Sequence, residues 1–239
     1  MSAATAETIV VSSRFNGPQT SGNGGYTSGL LAKRFEGAAE VNLRSPVPLD
    51  ELLELAEDGQ GALRLLQGET LIAEARPAPD FEVAVPAPVS PEEARRAAAN
   101  YRGLEDGLFS HCFVCGRARE DGFDVFAGRV EGRDLAATPW TPPAWTADAN
   151  GAVQAEFVWA ALDCPTYFAT HLDGELTLSM LVRQRARIDA PIVAGQEHVV
   201  VAWPISQDGR KRLAGGAVLS ASGETLATCD ALLIEPRSA

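Results

Sequence analysis

The chain has 239 residues, 46% of them hydrophobic, enough to bury one large core or two small ones. Its 32 acidic against 20 basic residues give a net charge of −12, which disfavours a nucleic-acid or anionic-membrane partner, since both are met by a basic face. No stretch approaches the length of a membrane span, no apolar run follows a basic N-terminal segment, and four cysteines in this length do not make a disulfide framework, so the expected setting is a reducing cytoplasm.

In chain order, a short strand fits Ile9 to Phe15, and the glycine- and proline-bearing stretch Asn16–Gly25 must turn. A first apolar helix follows over Gly24–Phe35, with Asn23 or Ser21 as its cap. Strands then fit Glu40–Pro48, Leu52–Ala56, Ala62–Leu66 and Leu71–Arg76. Five prolines between 77 and 91 read as an extended linker, and Glu92–Tyr101 as a short helix with Ser90 as N-cap and Pro91 at its first position. Phe123, Val125 and Phe126 suggest another strand, and residues 138–151 a long loop. A second apolar helix covers Gln154–Thr170, with Phe157, Ala160, Ala161 and Cys164 on one stripe; Pro165 should end or kink it near Asp163 and Cys164. Strands over Leu176–Ile188, Glu197–Ile205, Arg212–Ser220 and Thr225–Ile234 complete the chain, the last three joined by hairpin turns.

Gly68-Glu69-Thr70-Leu71 and Gly223-Glu224-Thr225-Leu226 occupy equivalent places in this order, each following a helix and a run of strands. The pattern reads as one unit written twice: a first unit over 8–77, a Pro-rich linker and short helix over 78–105, and a second unit over 106–236. A long apolar helix needs cover on its whole surface, and an antiparallel sheet curled round it provides that. The predicted fold class is therefore α+β, two long apolar helices wrapped by one continuous curved antiparallel sheet.

Several segments carry a family resemblance. Cys112-Phe113-Val114-Cys115-Gly116 followed by Asp121-Gly122-Phe123 resembles the Cys-x-x-Cys-Gly … Gly-Leu opening of many hotdog thioesterase-like proteins. Asn16-Gly17-Pro18, Gly22-Asn23-Gly24-Gly25 and Trp159 to Pro165 resemble a largely uncharacterised double-hotdog family of the same superfamily. The chain departs from the pattern at Arg119-Glu120-Asp121, where Asn-Pro is usual, and at Phe123, where Leu is common. The resemblance implies hydrolysis of an acyl-CoA or acyl-carrier thioester. It also matches Asp163 to the acidic position that several thioesterases carry on the hotdog helix.

Thioester hydrolysis requires donors for a developing oxyanion and a group that activates water or attacks directly. The backbone N–H groups of Gly24, Gly25 and Tyr26, at the start of the first helix, are the candidate donors. Asp163, in an otherwise apolar helix, is the candidate base or nucleophile. Glu156, seven residues earlier near the same face, is a second candidate, although a solvated first-turn acid explains it as well. The first helix has no acid, so the halves are chemically unequal and one shared site is expected. The acyl slot is expected between the two helices, with Asn23, Leu30, Trp159 and Tyr167 among its binding residues and Trp140 and Trp145 as a lid or a surface pin.

Cys112 and Cys115 have metal-type spacing beside His111, with Cys164, His171 and Cys229 as further possible ligands, yet no second paired motif completes a set of four. The preferred reading is a tight turn, with no metal and no cofactor, and with Cys164 a small core residue. Arg183, Arg185 and Arg187 on one strand face, or Arg210–Arg212 at a turn, offer phosphate contacts or plain solvated charge. Two readings stand beside the thioesterase: a non-catalytic binder of acyl-CoA or another apolar ligand, and an acyl-thioester hydratase or dehydratase dependent on His171. A monomer or a homodimer of double units fits either.

Overall fold

The computed structural model describes residues 7–103, 107 and 109–237. The predicted linker boundary at 105/106 lies outside the described residues. The strands are β1 (Glu7–Val10), β2 (Ala39–Leu43), β3 (Leu52–Glu57), β4 (Leu63–Gln67), β5 (Thr70–Pro77), β6 (Gly128–Arg129), β7 (Ala136–Trp140), β8 (Met180–Ile188), β9 (His198–Asp208), β10 (Lys211–Ser220) and β11 (Thr225–Ile234). They form one antiparallel sheet in the order β1-β3-β4-β5-β2-β8-β11-β10-β9-β7-β6. Its central seam is the β2–β8 pair, where Glu40 lies opposite Arg185 and Val41 opposite Gln184. Counted outward from that seam, one side runs β2, β5, β4, β3, β1 and the other β8, β11, β10, β9, β7, with the two-residue β6 at its edge. The β4–β5 and β10–β11 hairpins turn at Gly68 (φ +57°) and Gly223 (φ +88°), a left-handed backbone that favours glycine.

Helices α1 (Gly24–Ala32) and α3 (Ala155–Ala169) lie against the sheet and against each other, while α2 (Pro91–Ala98) packs elsewhere. α1 is apolar on every side, and eight of its nine residues are buried, as suits a helix enclosed by a curved sheet. Gly25 and Gly29 bring its backbone onto α3. A Cβ on Gly25 would lie 2.6 Å from the Trp159 carbonyl oxygen and 2.6 Å from Asp163 Cβ, and a Cβ on Gly29 would lie 2.4 Å from Glu156 Cα. The 77–91 stretch is a packed layer on the sheet's outer face: Phe81 and Val89 are buried, and α2, closed by a Ser90–Glu93 capping box, sets Ala94 and Ala97 on Val199, Val201 and Trp203.

Several expected boundaries differ. α1 stops at Ala32, leaving Phe35 in a turn, so the first helix is short. α3 runs through Pro165 to Ala169, because the turn beyond the proline buries Phe168 and Ala169 and packing outweighs one lost backbone hydrogen bond. Phe123–Phe126 is not a strand: Asp124 has a left-handed backbone (φ 54°), and Phe123 and Val125 are held by bonds to the Phe113 and Val114 carbonyls. The strand falls instead at β7, whose last three residues lie in the stretch read as a loop. Among the described residues no helix is long and apolar enough to cross a membrane.

The crossing predicts a contrast between two adjacent positions of α1. Gly29→Ala should lower the urea-unfolding free energy by about 1–3 kcal/mol, the usual penalty for overfilling a packed contact. Ser28→Ala, which removes a buried hydroxyl with no hydrogen-bond partner, should be neutral or stabilising. Equal stability of Gly29→Ala and wild type would sink the account of the crossing.

Candidate functional site

A cavity of about 500 Å³ opens where the two sides of the sheet meet. The loop 17–24 and residues 43–47 after β2 form one wall; the C-terminal half of α3 and residues 178–182 leading into β8 form the other. Its lining is mainly apolar, with Leu43, Val47, Phe109, Phe168, Met180 and Leu181 prominent, as ligand cavities generally are. Asp163 and Arg44 are the acidic and basic side chains among the described lining residues, and Arg44 also pairs with Glu74 at 3.2 Å.

Asp163 projects from α3 towards the start of α1, where its Oδ2 accepts a hydrogen bond from the Gly25 N–H at 2.9 Å. Burial pushes its carboxyl up to about 7; the Gly25 N–H and the Asn23 amide pull it down, and the neighbouring Cys112 sulfur pushes it up. A hydrogen bond to a charged group contributes roughly 1.5–3 kcal/mol, less than the several kcal/mol that desolvating a carboxylate costs, so burial wins. The result is an acid that exchanges its proton near neutrality beside an apolar cavity, a combination suited to general acid–base chemistry.

The other predicted residues divide into two sets. Asn23, Gly24 and Tyr167 line the cavity with Asp163. Asn23 caps α1 by accepting from the Tyr26 N–H at 2.8 Å, and its amide nitrogen lies 3.9 Å from both the Cys112 and Cys164 sulfurs. The Gly25 and Tyr26 N–H groups are thus engaged by Asp163 and Asn23, whereas the Gly24 N–H finds no acceptor among the described residues. Tyr26, Leu30, Glu156 and Trp159 do not line the cavity. The Tyr26 ring stacks on Phe15 with centroids 4.3 Å apart, Leu30 is core, and the Trp159 carbonyl accepts from Gln184 at 3.1 Å. Glu156 faces α1 as Asp163 does, but is buried against Lys33 Nζ at 3.0 Å.

The cavity also gathers groups that the sequence reading did not place at the site. Cys112, Cys115 and Cys164 are buried, line the cavity, and have sulfurs within 4.8 Å of one another; Cys112 and Cys164 are 3.7 Å apart. Donation from the Cys115 and Cys164 thiols holds Cys112 well below the ordinary thiol range, and the same sharing pushes Cys164 well above it. Ser179 lines the cavity with a buried hydroxyl that has no partner among the described residues. Only the Cys112–Cys115 spacing is a sequence signal here.

His171 is tied at both ring nitrogens, to the Tyr167 carbonyl and the Thr177 hydroxyl, each at 2.9 Å, and does not line the cavity. Arg183 and Arg185 both pair with the buried Asp230, Arg187 with Asp189, and Arg212 with Glu235. Trp140 is core, and Trp145 lies under the Arg14 guanidinium, 4.2 Å from the ring centroid, away from the cavity.

No family model matches the sequence, and no curated protein matches it. Solved structures do match in fold. A conserved hotdog-fold protein of unknown function from Alicyclobacillus acidocaldarius aligns at TM-score 0.62 and 16% identity, over 97% of this chain and 93% of that one. An acyl-CoA thioesterase II from Mycobacterium marinum aligns at 0.58 and 12%, over 97% and 93%. The TesB protein of Mycobacterium avium subspecies paratuberculosis aligns at 0.57 and 14%, over 90% and 87%. The protein therefore has the hotdog fold.

The raised carboxyl has a consequence for stability. Native Asp163 holds its proton more tightly than the unfolded chain does, so its stabilising contribution is complete below pH ~4 and is lost as pH rises through about 7. Between those limits Asp163→Asn should gain on wild type by up to about 4 kcal/mol, read from urea midpoints across the range. Parallel pH–stability curves would show that Asp163 titrates normally.

Proposed function

We propose that the protein is a thioesterase-like hydrolase of acyl-CoA or acyl-carrier thioesters, built as two hotdog units in tandem over 8–77 and 106–236. The matching strand order on either side of the β2–β8 seam supports the tandem reading. The observation that carries the activity is the buried Asp163 carboxyl, with a pKa of about 7, beside an apolar cavity at the start of α1. The acyl-CoA thioesterase name of one fold neighbour points the same way.

In this reading the acyl chain lies along Phe109, Phe168 and Met180, and the thioester carbonyl oxygen meets the Gly24 N–H. Water adds to the carbonyl carbon as Asp163 takes its proton. The carbon–sulfur bond then breaks and the proton passes to the leaving thiolate. Ser179 supplies a further donor to the bound substrate, and Arg44 a cation for a phosphate of the carrier group. The Gly25 N–H stays with the carboxylate and orients it.

That same Gly25–Asp163 bond favours a second reading, a non-catalytic acyl-ligand binder in which the carboxyl serves to pin the two helices. Purified wild type and Asp163→Asn, assayed on acyl-CoA thioesters from acetyl to long-chain and aromatic, separate the two. The hydrolase reading expects wild-type kcat/KM to rise with pH through about 7, and Asp163→Asn to lose about 10²–10⁴-fold with its fold intact. Ligand binding without turnover in either form would establish the binder.

A further inference from the structure

We propose that Cys112, Cys115 and Cys164 form a three-thiolate site for a soft divalent metal ion, zinc above others, beside the cavity. The three sulfurs converge within 4.8 Å, and Cys112 and Cys164 stand 3.7 Å apart. Zinc–sulfur bonds of about 2.3 Å in a tetrahedron put neighbouring sulfurs about 3.8 Å apart, so an ion fits with little rearrangement of these side chains. The trio is assembled from two separate elements, the 112–115 turn and α3. The turn is fixed by the Gly116 N–H bonding the Cys112 carbonyl at 2.8 Å and by the Tyr101 hydroxyl bonding the Cys115 carbonyl. At Gly116 a Cβ would come within 2.6 Å of the Cys112 backbone, so the turn requires glycine after Cys115.

The surroundings favour the charged form of a thiolate site. The Asn23 amide nitrogen lies 3.9 Å from two of the sulfurs, a donor placed where metal-bound thiolates accept. Thiolate donors select zinc or other soft ions over magnesium or calcium. All three cysteines line the cavity, so a fourth ligand, water or a small thiol, can reach the ion from there, as at zinc sites with an open position. Cys229 is buried elsewhere, against the Leu162 carbonyl, and serves as the control cysteine.

The test uses the full chain, reduced and stripped of metal, titrated with Co²⁺ and then Zn²⁺. The expected result is one Co²⁺ per chain, with near-ultraviolet sulfur-to-metal charge transfer and visible bands of tetrahedral cobalt, all displaced by Zn²⁺. Cys164→Ser should weaken uptake at least about tenfold, losing one of the three thiolates, while Cys229→Ser should match wild type. X-ray absorption at the zinc edge of the wild-type protein counts the ligands without any substitution, and three sulfurs at about 2.3 Å are expected. No uptake by reduced wild type, a first shell of nitrogen and oxygen alone, or unchanged uptake in folded Cys164→Ser would overturn the site. None of these readouts depends on thioester turnover, so the metal site and the hydrolase stand or fall separately.

Discussion

The backbone contact between α1 and α3 at Gly25 and Gly29 governs the position of nearly everything at the site. With any side chain at Gly25 the helices would separate, and the Asp163 carboxylate would lose the N–H it accepts from at 2.9 Å. The space at Gly25 is filled by α3, whereas Gly24 lines the cavity. The dipole of a helix start and a hydrogen bond both favour an ionised carboxylate there. That Asp163 nevertheless holds a proton to about pH 7 measures how dry its surroundings are.

Glu156 and Asp163 show how partners rather than position decide what an acid does. Both project from α3 towards α1, seven residues or roughly 10 Å of helix apart. Glu156 meets the ammonium of Lys33, and the ion pair closes that end of the crossing. Asp163 meets only neutral donors and sulfur, so its proton remains exchangeable. A buried ion pair adds little net stability over an apolar contact, but it sets which end of one helix meets which end of the other.

Much of the fold was readable because it depends on local rules. Hairpin glycines with left-handed backbone mark the turns before β5 and β11, and the residues of β11 coincide with the predicted run. The periodic apolar residues of α3 located the helix. The unreadable parts depend on distant packing. Pro165 breaks a helix in isolation, yet buried residues on both sides hold α3 together through it. The aromatic run at Phe123 resembles a strand but serves as a plug, with Phe113 and Trp140 against its ring. Asp163 was legible as an acid out of place in an apolar helix. Its cavity was not, because the loop 17–24 and residues 178–182 come together only through the β2–β8 seam. Cys164 joins Cys112 by the same long-range closure, across a separation no spacing rule covers.

Under the proposed duplication, the two crossings of α1 and α3 carry different chemistry. Gly25 is the second residue of α1 and meets Asp163, the ninth of α3. The other crossing sets Glu156, the second residue of α3, against the end of α1, where Lys33 caps the helix. One crossing therefore has a backbone N–H at the helix start and a carboxyl from the partner helix; the other has a carboxylate at the helix start and an ammonium from its partner. The first leaves a titratable group beside a 500 Å³ cavity, and the second is an ion pair whose acid is buried. The lysine that follows α1 pairs with the acid at the second crossing, whereas Asp163 at the first accepts from the Gly25 N–H.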